Sequence, residues 1–99
     1  MNTRNDGQQR PLFALGQVLA TPGAIVALLE AEQTPHEFLA RHLAADWGDL
    51  VEEDKQANER ALRQGSRLFS AYTLNSGVKI WLITEADRSA TTFLLPEEY

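Results

Sequence analysis

An α+β domain is the fold class this sequence predicts: a short N-terminal strand, three helices, then a three-stranded antiparallel meander packed on the helices. Three observations point there. Thr21-Pro22 and Thr34-Pro35 each set a capping residue before a proline, which suits the first position of a helix. Residues 67–74 alternate with a period of two, the signature of a strand. Asn75-Ser76-Gly77 then supplies a hairpin turn ahead of a second apolar run.

A chain of 99 residues suits one domain and is long enough to bury a core without a metal or disulfide. Apolar residues make up 43% and charged residues 23%, an ordinary globular mixture. The net charge of -5 argues against a broad nucleic-acid-binding surface. With no cysteine, disulfides, thiolate metal sites and cysteine nucleophiles are excluded. The polar opening residues contain no secretory apolar region, and no apolar run approaches the ~20 residues of a membrane helix. A cytoplasmic protein is expected.

Residues 1–11 read as a flexible tail and residues 12–99 as the single domain. Residues 12–20 suit a short strand. In the first helix Ile25, Leu28 and Leu29 share a face; in the second Phe38, Leu39, His42 and Leu43 do so. Glu37 follows Thr34 by three positions, the spacing of a capping box. Residues 51–64 read as a third helix closed by Gly65, with Glu59 and Arg63 spaced to pair and Ala57, Ala61 and Leu62 as its apolar face. The hairpin register sets Tyr72 opposite Ile80 and Ala71 opposite Trp81. Residues 91–95 complete the meander.

Between the second and third helices stands Asp46-Trp47-Gly48-Asp49, a bulky indole in a loop with a permissive glycine. Asp46, Asp49, Glu52, Glu53 and Asp54 are the densest acidic cluster and suit a basic protein partner, with Trp47 as an anchor. The same acids also suit the positive end of the third helix, which Asp49 is placed to cap. His42 lies four residues before Asp46, so a metal or acid–base site from His42 with Asp46 or Asp49 is chemically permissible. The H-E-x-x-H spacing is missing, and a hydrogen-bonded core histidine is the commoner outcome. Tyr72, Trp81 and Phe93 offer an aromatic platform for a base or for a second copy of the chain. Arg88 and Ser89 can hold a small anion or simply stabilise a turn. There is no G-x-S-x-G, P-loop or G-x-G-x-x-G sequence, so no nucleotide or other cofactor is expected.

Two blocks carry a family resemblance. Arg41-His42-Leu43-Ala44-Ala45-Asp46-Trp47-Gly48-Asp49-Leu50, and Ile83-Thr84-Glu85-Ala86-Asp87-Arg88-Ser89-Ala90-Thr91-Thr92 followed by Leu94-Leu95-Pro96-Glu97-Glu98-Tyr99, resemble small proteins of bacterial plasmids and integrative elements. Some of those bear a label linking them to the modification subunit of type I restriction systems. This chain has no glycine-rich cofactor loop and no Asn-Pro-Pro-Tyr-like sequence. The resemblance therefore implies genomic company with mobile elements and transfers no reaction. The function expected is a non-enzymatic accessory protein that binds a bacterial protein through Asp46, Trp47, Asp49, Glu52 and Glu53, in defence or anti-defence. The competing expectations are a small hydrolase or metal-dependent enzyme built on His42, and a nucleic-acid-binding regulator using the sheet aromatics.

Overall fold

Three helices and one four-stranded mixed sheet make up the computed structural model, which describes residues 11–99. The tail expected at residues 1–11 therefore lies outside the described residues, apart from Pro11. In chain order the elements are β1 (Gln17–Ala20), α1 (Pro22–Ala31), α2 (Pro35–Leu43), α3 (Glu52–Gln64), β2 (Leu68–Thr73), β3 (Lys79–Thr84) and β4 (Ala90–Leu94), followed by a 3-10 turn at Pro96–Glu98. The α+β class is as expected. β2, β3 and β4 pair antiparallel in succession as expected, but the sheet has four strands, because β1 joins it parallel to β4 and gives the order β1-β4-β3-β2.

Gly16 sets where β1 begins. Its φ of +67° and its approach to the Ser89 backbone leave no room for a Cβ. The chain turns there, and Gln17 donates its N–H to Ser89 O at 2.9 Å. The strand expected across residues 12–20 is thereby confined to the last four. Phe13 instead packs beside the second of two core clusters.

The β2–β3 hairpin has the expected register, Ala71 opposite Trp81 and Tyr72 opposite Ile80. Alternation then divides the sheet. Leu68, Ser70, Tyr72, Ile80, Leu82, Thr84, Thr91 and Phe93 face the helices and are buried. Phe69, Trp81, Ile83 and Leu94 lie on the opposite face.

Capping decides the helix boundaries. The Thr21 hydroxyl accepts from Ala24 N at 3.2 Å and donates to the Glu98 carboxylate at 2.5 Å, so the C-terminal turn is stapled to the start of α1. Thr34 precedes Pro35 as expected but makes no side-chain cap, and Glu37 instead accepts from Gln33 Nε2 at 3.1 Å. On α1 the buried residues are Ala24, Ala27, Leu28 and Ala31, while Ile25 and Leu29 face outward. Small alanines allow close approach to the sheet, which shifts the buried stripe away from the larger side chains. Ala61 is buried on α3 with Leu62 partly so, but Ala57 is exposed. Asn58 is buried in its place.

Asn58 explains how α3 is held. Its amide donates to Phe69 O at 2.6 Å and its carbonyl accepts from Phe69 N at 3.1 Å, imitating a neighbouring strand at the outer edge of β2. Two residues further along that edge, Ala71 N donates to Trp47 O at 3.1 Å and Asp49 N donates to Ala71 O at 2.7 Å. Gly48 sits between them as a parallel bridge. Its φ is +77°, and an added Cβ would collide with the Ala71 carbonyl oxygen and the Tyr72 ring. Gly48→Ala is therefore expected to cost about 3 kcal/mol or more and to lower the melting temperature by over ~10 °C, read by circular dichroism.

Candidate protein-binding surface

The backbone of Asp46-Trp47-Gly48-Asp49 is fixed from several sides. Tyr72 donates its hydroxyl to Asp46 O at 2.7 Å from inside the core. Burial pushes that phenol up to about 12, so it stays a donor throughout the ordinary pH range. Arg41 closes the outside of the loop. Its Nε and Nη2 donate to the two Asp46 oxygens at 2.7 and 3.3 Å, while its guanidinium lies 4.5 Å from the centre of the Tyr72 ring. The Arg41 hydrogen bonds hold the Asp46 carboxyl below its usual range.

Trp47 points inward. It is 3% exposed, packs with Ala61 and Leu68, and donates its indole N–H to Glu59 at 3.0 Å. Its ring stacks on Phe13 with centroids 6.5 Å apart and meets His42 edge-on at 5.7 Å. The indole is thus a core residue and presents no anchor at the surface of this structure. Glu59 is drawn to the indole, and the ion pairs among the described residues do not include the expected Glu59–Arg63 pair.

The acids of this region divide by role. Asp49 does not cap α3; Val51 occupies that position. The Asp49 carboxylate instead accepts from Thr73 Oγ1 at 2.6 Å and lies 3.9 Å from Lys79 Nζ, joining the loop to the β2–β3 hairpin. Glu52, Glu53 and Asp54 form the exposed first turn of α3, where negative charge complements the helix N-terminus. Asp49 and these three residues make an acidic ridge standing on a backbone bound to the sheet edge.

The His42 grouping is not assembled. His42 is completely buried, and Asp46 and Asp49 are engaged by Arg41, Thr73 and Lys79. Among the described residues, no group of three His, Cys, Asp or Glu side chains is placed to hold a metal ion. His42 belongs to a polar chain. Leu15 O can only accept, so Thr91 must donate to it at 2.8 Å. Having one proton, Thr91 accepts from Thr84 at 2.7 Å, and Thr84 in turn accepts from His42 Nε2–H at 2.9 Å. Nδ1 is left as the acceptor for Ser70, at 2.6 Å. The bonding pattern fixes one tautomer of a neutral imidazole.

Desolvation in that site lowers the His42 pKa from 6.5 to about 4. Between those values the unfolded chain binds a proton that the folded chain refuses, so stability rises with pH through this window and is lost as pH falls. The His42 contribution is of order 3 kcal/mol, complete above about pH 6.5 and gone near pH 4. Urea unfolding across this range is expected to show that slope, and His42→Gln is expected to flatten it; an unchanged slope in the variant overturns the assignment.

The sheet aromatics do not form the expected platform, because alternation sends Tyr72 and Phe93 into the helix-facing core and Trp81 to the opposite face. The opposite face has its own cluster, which the sequence reading missed. Phe69 meets Trp81 edge-on at 4.8 Å, Trp81 meets Tyr99 at 5.7 Å, and Arg67 donates to the Tyr99 hydroxyl at 3.1 Å. With Ile83 they line a shallow cleft of about 240 Å³. The register held the missing signal: Ala71 opposite Trp81 leaves space that the diagonal neighbour Phe69 fills.

Arg88 is structural. It donates to Ser66 O at 2.7 Å and to Ala61 O at 3.2 Å, closing the end of α3 onto the β3–β4 turn, while Asp87 accepts from Ser89 N at 3.0 Å. No helix of the described residues is long and apolar enough to cross a membrane. Compared with known proteins, the chain matches no protein-family model, no curated protein and no solved structure.

Proposed function

We propose that this chain is a non-enzymatic accessory protein of a bacterial mobile element, acting in the cytoplasm by binding another protein through its acidic ridge. One observation carries the proposal. Asp49, Glu52, Glu53 and Asp54 are exposed on a loop and helix start whose backbone is tied to the β2 edge by Ala71, Asn58 and Tyr72. A preorganised charged surface loses little conformational freedom on docking, and its field accelerates encounter with an oppositely charged partner.

The partner class follows from the charge. A net charge of -5 and a cluster of carboxylates on a fixed backbone suit a protein with a basic surface and repel nucleic-acid phosphates. Asp46, neutralised by Arg41, lies at the rim, and Trp47 supports the ridge from below. The resemblance of the two sequence blocks to plasmid and integrative-element proteins supports a defence or anti-defence setting. A host protein that ordinarily contacts DNA phosphates has the basic surface this ridge requires.

Affinity purification of the tagged full chain from its bacterial host, read by mass spectrometry, tests the proposal. Wild-type protein is expected to enrich a basic partner in a salt-sensitive manner, and Glu52→Lys with Glu53→Lys to reduce that enrichment at least tenfold while the domain stays folded by circular dichroism, its melting temperature lowered only by the lost complement to the α3 N-terminus. Enrichment indifferent to charge reversal overturns the ridge as the binding surface.

A further inference from the structure

The two edges of the sheet are treated in opposite ways. The β2 edge is closed: the outward backbone groups of Phe69 are taken by Asn58, and those of Ala71 by Trp47 and Asp49. At the other edge, Gln17 N bonds to Ser89 O and Thr21 N to Phe93 O, so odd-numbered residues of β1 turn their backbone groups toward β4. Val18 and Ala20 consequently direct theirs away from the sheet. No described residue pairs with that side of β1.

This edge lacks the usual protections of an exposed strand, such as a lysine, proline, inward charge or bulge. Its four residues are all exposed, including Val18 at 44% and Leu19 at 41%. Residues 11–29 contain no charged side chain, although 23% of the whole sequence is charged. That neutrality selects the occupant. Copies of a chain with net charge -5 repel one another over most of their surface, and a neutral apolar edge is where that repulsion is weakest. Residues 1–10 are dominated by Asn, Gln, Arg and Asp, poor strand formers, and hold Met1 as their one apolar side chain against Val18 and Leu19.

We infer that β1 is the dimerisation edge, pairing antiparallel with β1 of a second copy about a two-fold axis at Leu19. Val18 then faces Ala20 of the second copy, and each such pair exchanges two N–H···O bonds, satisfying the outward donors and acceptors of both strands. The two sheets become one continuous sheet. Leu19 meets its own counterpart in a non-hydrogen-bonded pair with Cα atoms ~4.5 Å apart. A lone four-residue strand falls short of the ~800 Å² per partner of a standard stable interface, so the pairing is a weak, concentration-dependent one. The interface is isologous and leaves the acidic ridge free.

The absence of cysteine provides a direct test. Leu19→Cys places thiols within disulfide reach only across this axis. Under mild oxidation it is expected to give a covalent dimer at least tenfold more readily than Ser76→Cys in the exposed hairpin turn. By light scattering at about 100 µM chain, wild type is expected near 22 kDa, twice the 11.1 kDa of one chain. Val18→Pro removes an outward N–H without touching a bond to β4, and is expected to give a monomer with unchanged far-UV circular dichroism. A monomeric wild type, a dimer that survives Val18→Pro, or a monomer whose Val18 and Ala20 amides are protected from hydrogen exchange overturns the inference. Glu52→Lys with Glu53→Lys is expected to leave the mass unchanged, so failure here is distinct from failure of the acidic ridge.

Discussion

A buried imidazole holds this fold together. His42, on α2, joins Ser70 of β2 to Thr84 of β3, and the chain continues through Thr91 of β4 to the carbonyl of Leu15 ahead of β1. Each member has one donor for one acceptor, so the network has a single direction and no spare proton. Low dielectric makes such a chain strong when complete and costly when broken. The requirement that His42 stay neutral is therefore a structural constraint. Phe13 and Trp47 pack edge-on to the ring and keep water away from it.

The acidic loop depends on that centre. Trp47 packs edge-on to His42 and lies in one cluster with Ala61 and Leu68, and Gly48 beside it bridges Ala71. Tyr72 spans the distance between core and loop, with its ring against Phe38 and its hydroxyl on the Asp46 carbonyl. The result is a surface whose charges are exposed while their backbone is as constrained as a strand. Surface charge and stability are thereby carried by different residues: the side chains of Glu52 and Glu53 are exposed, and Gly48 is locked against Ala71 and Tyr72. The same loop closes one sheet edge, while among the described residues no strand pairs with the outer side of β1.

Local signals in the sequence were accurate for helix ends and for the hairpin turn. Pro22 and Pro35 mark helix starts, Gly65 ends α3, and the Asn75-Ser76-Gly77 turn sets the hairpin register. That register already separates Tyr72 from Trp81, so the shared platform fails on parity alone. Other signals lost to competing partners. Glu37 was spaced for a capping box but found Gln33. Glu59 was spaced for Arg63 but found an indole. Asp49 preceded α3 but was captured by Thr73. Glu59 and Asp49 each gave up a weak exposed interaction for a partner delivered by tertiary contact, whereas Gln33 lies only four residues before Glu37.

The sequence by itself determined the α+β class, the positions of the helices, the hairpin, the acidic cluster and the charge-free stretch around β1. Tertiary structure alone decided that β1 lies beside β4, that Asn58 and Gly48 close the β2 edge, and that Trp47 faces inward. It also converted His42 from a candidate catalyst into a neutral hydrogen-bonding centre. The physical division is one of range. Capping, turn geometry and strand alternation act over a few residues and leave a readable pattern. Edge pairing, burial and the direction of a hydrogen-bond chain depend on groups as far apart as Leu15 and Thr91, whose meeting no local spacing encodes.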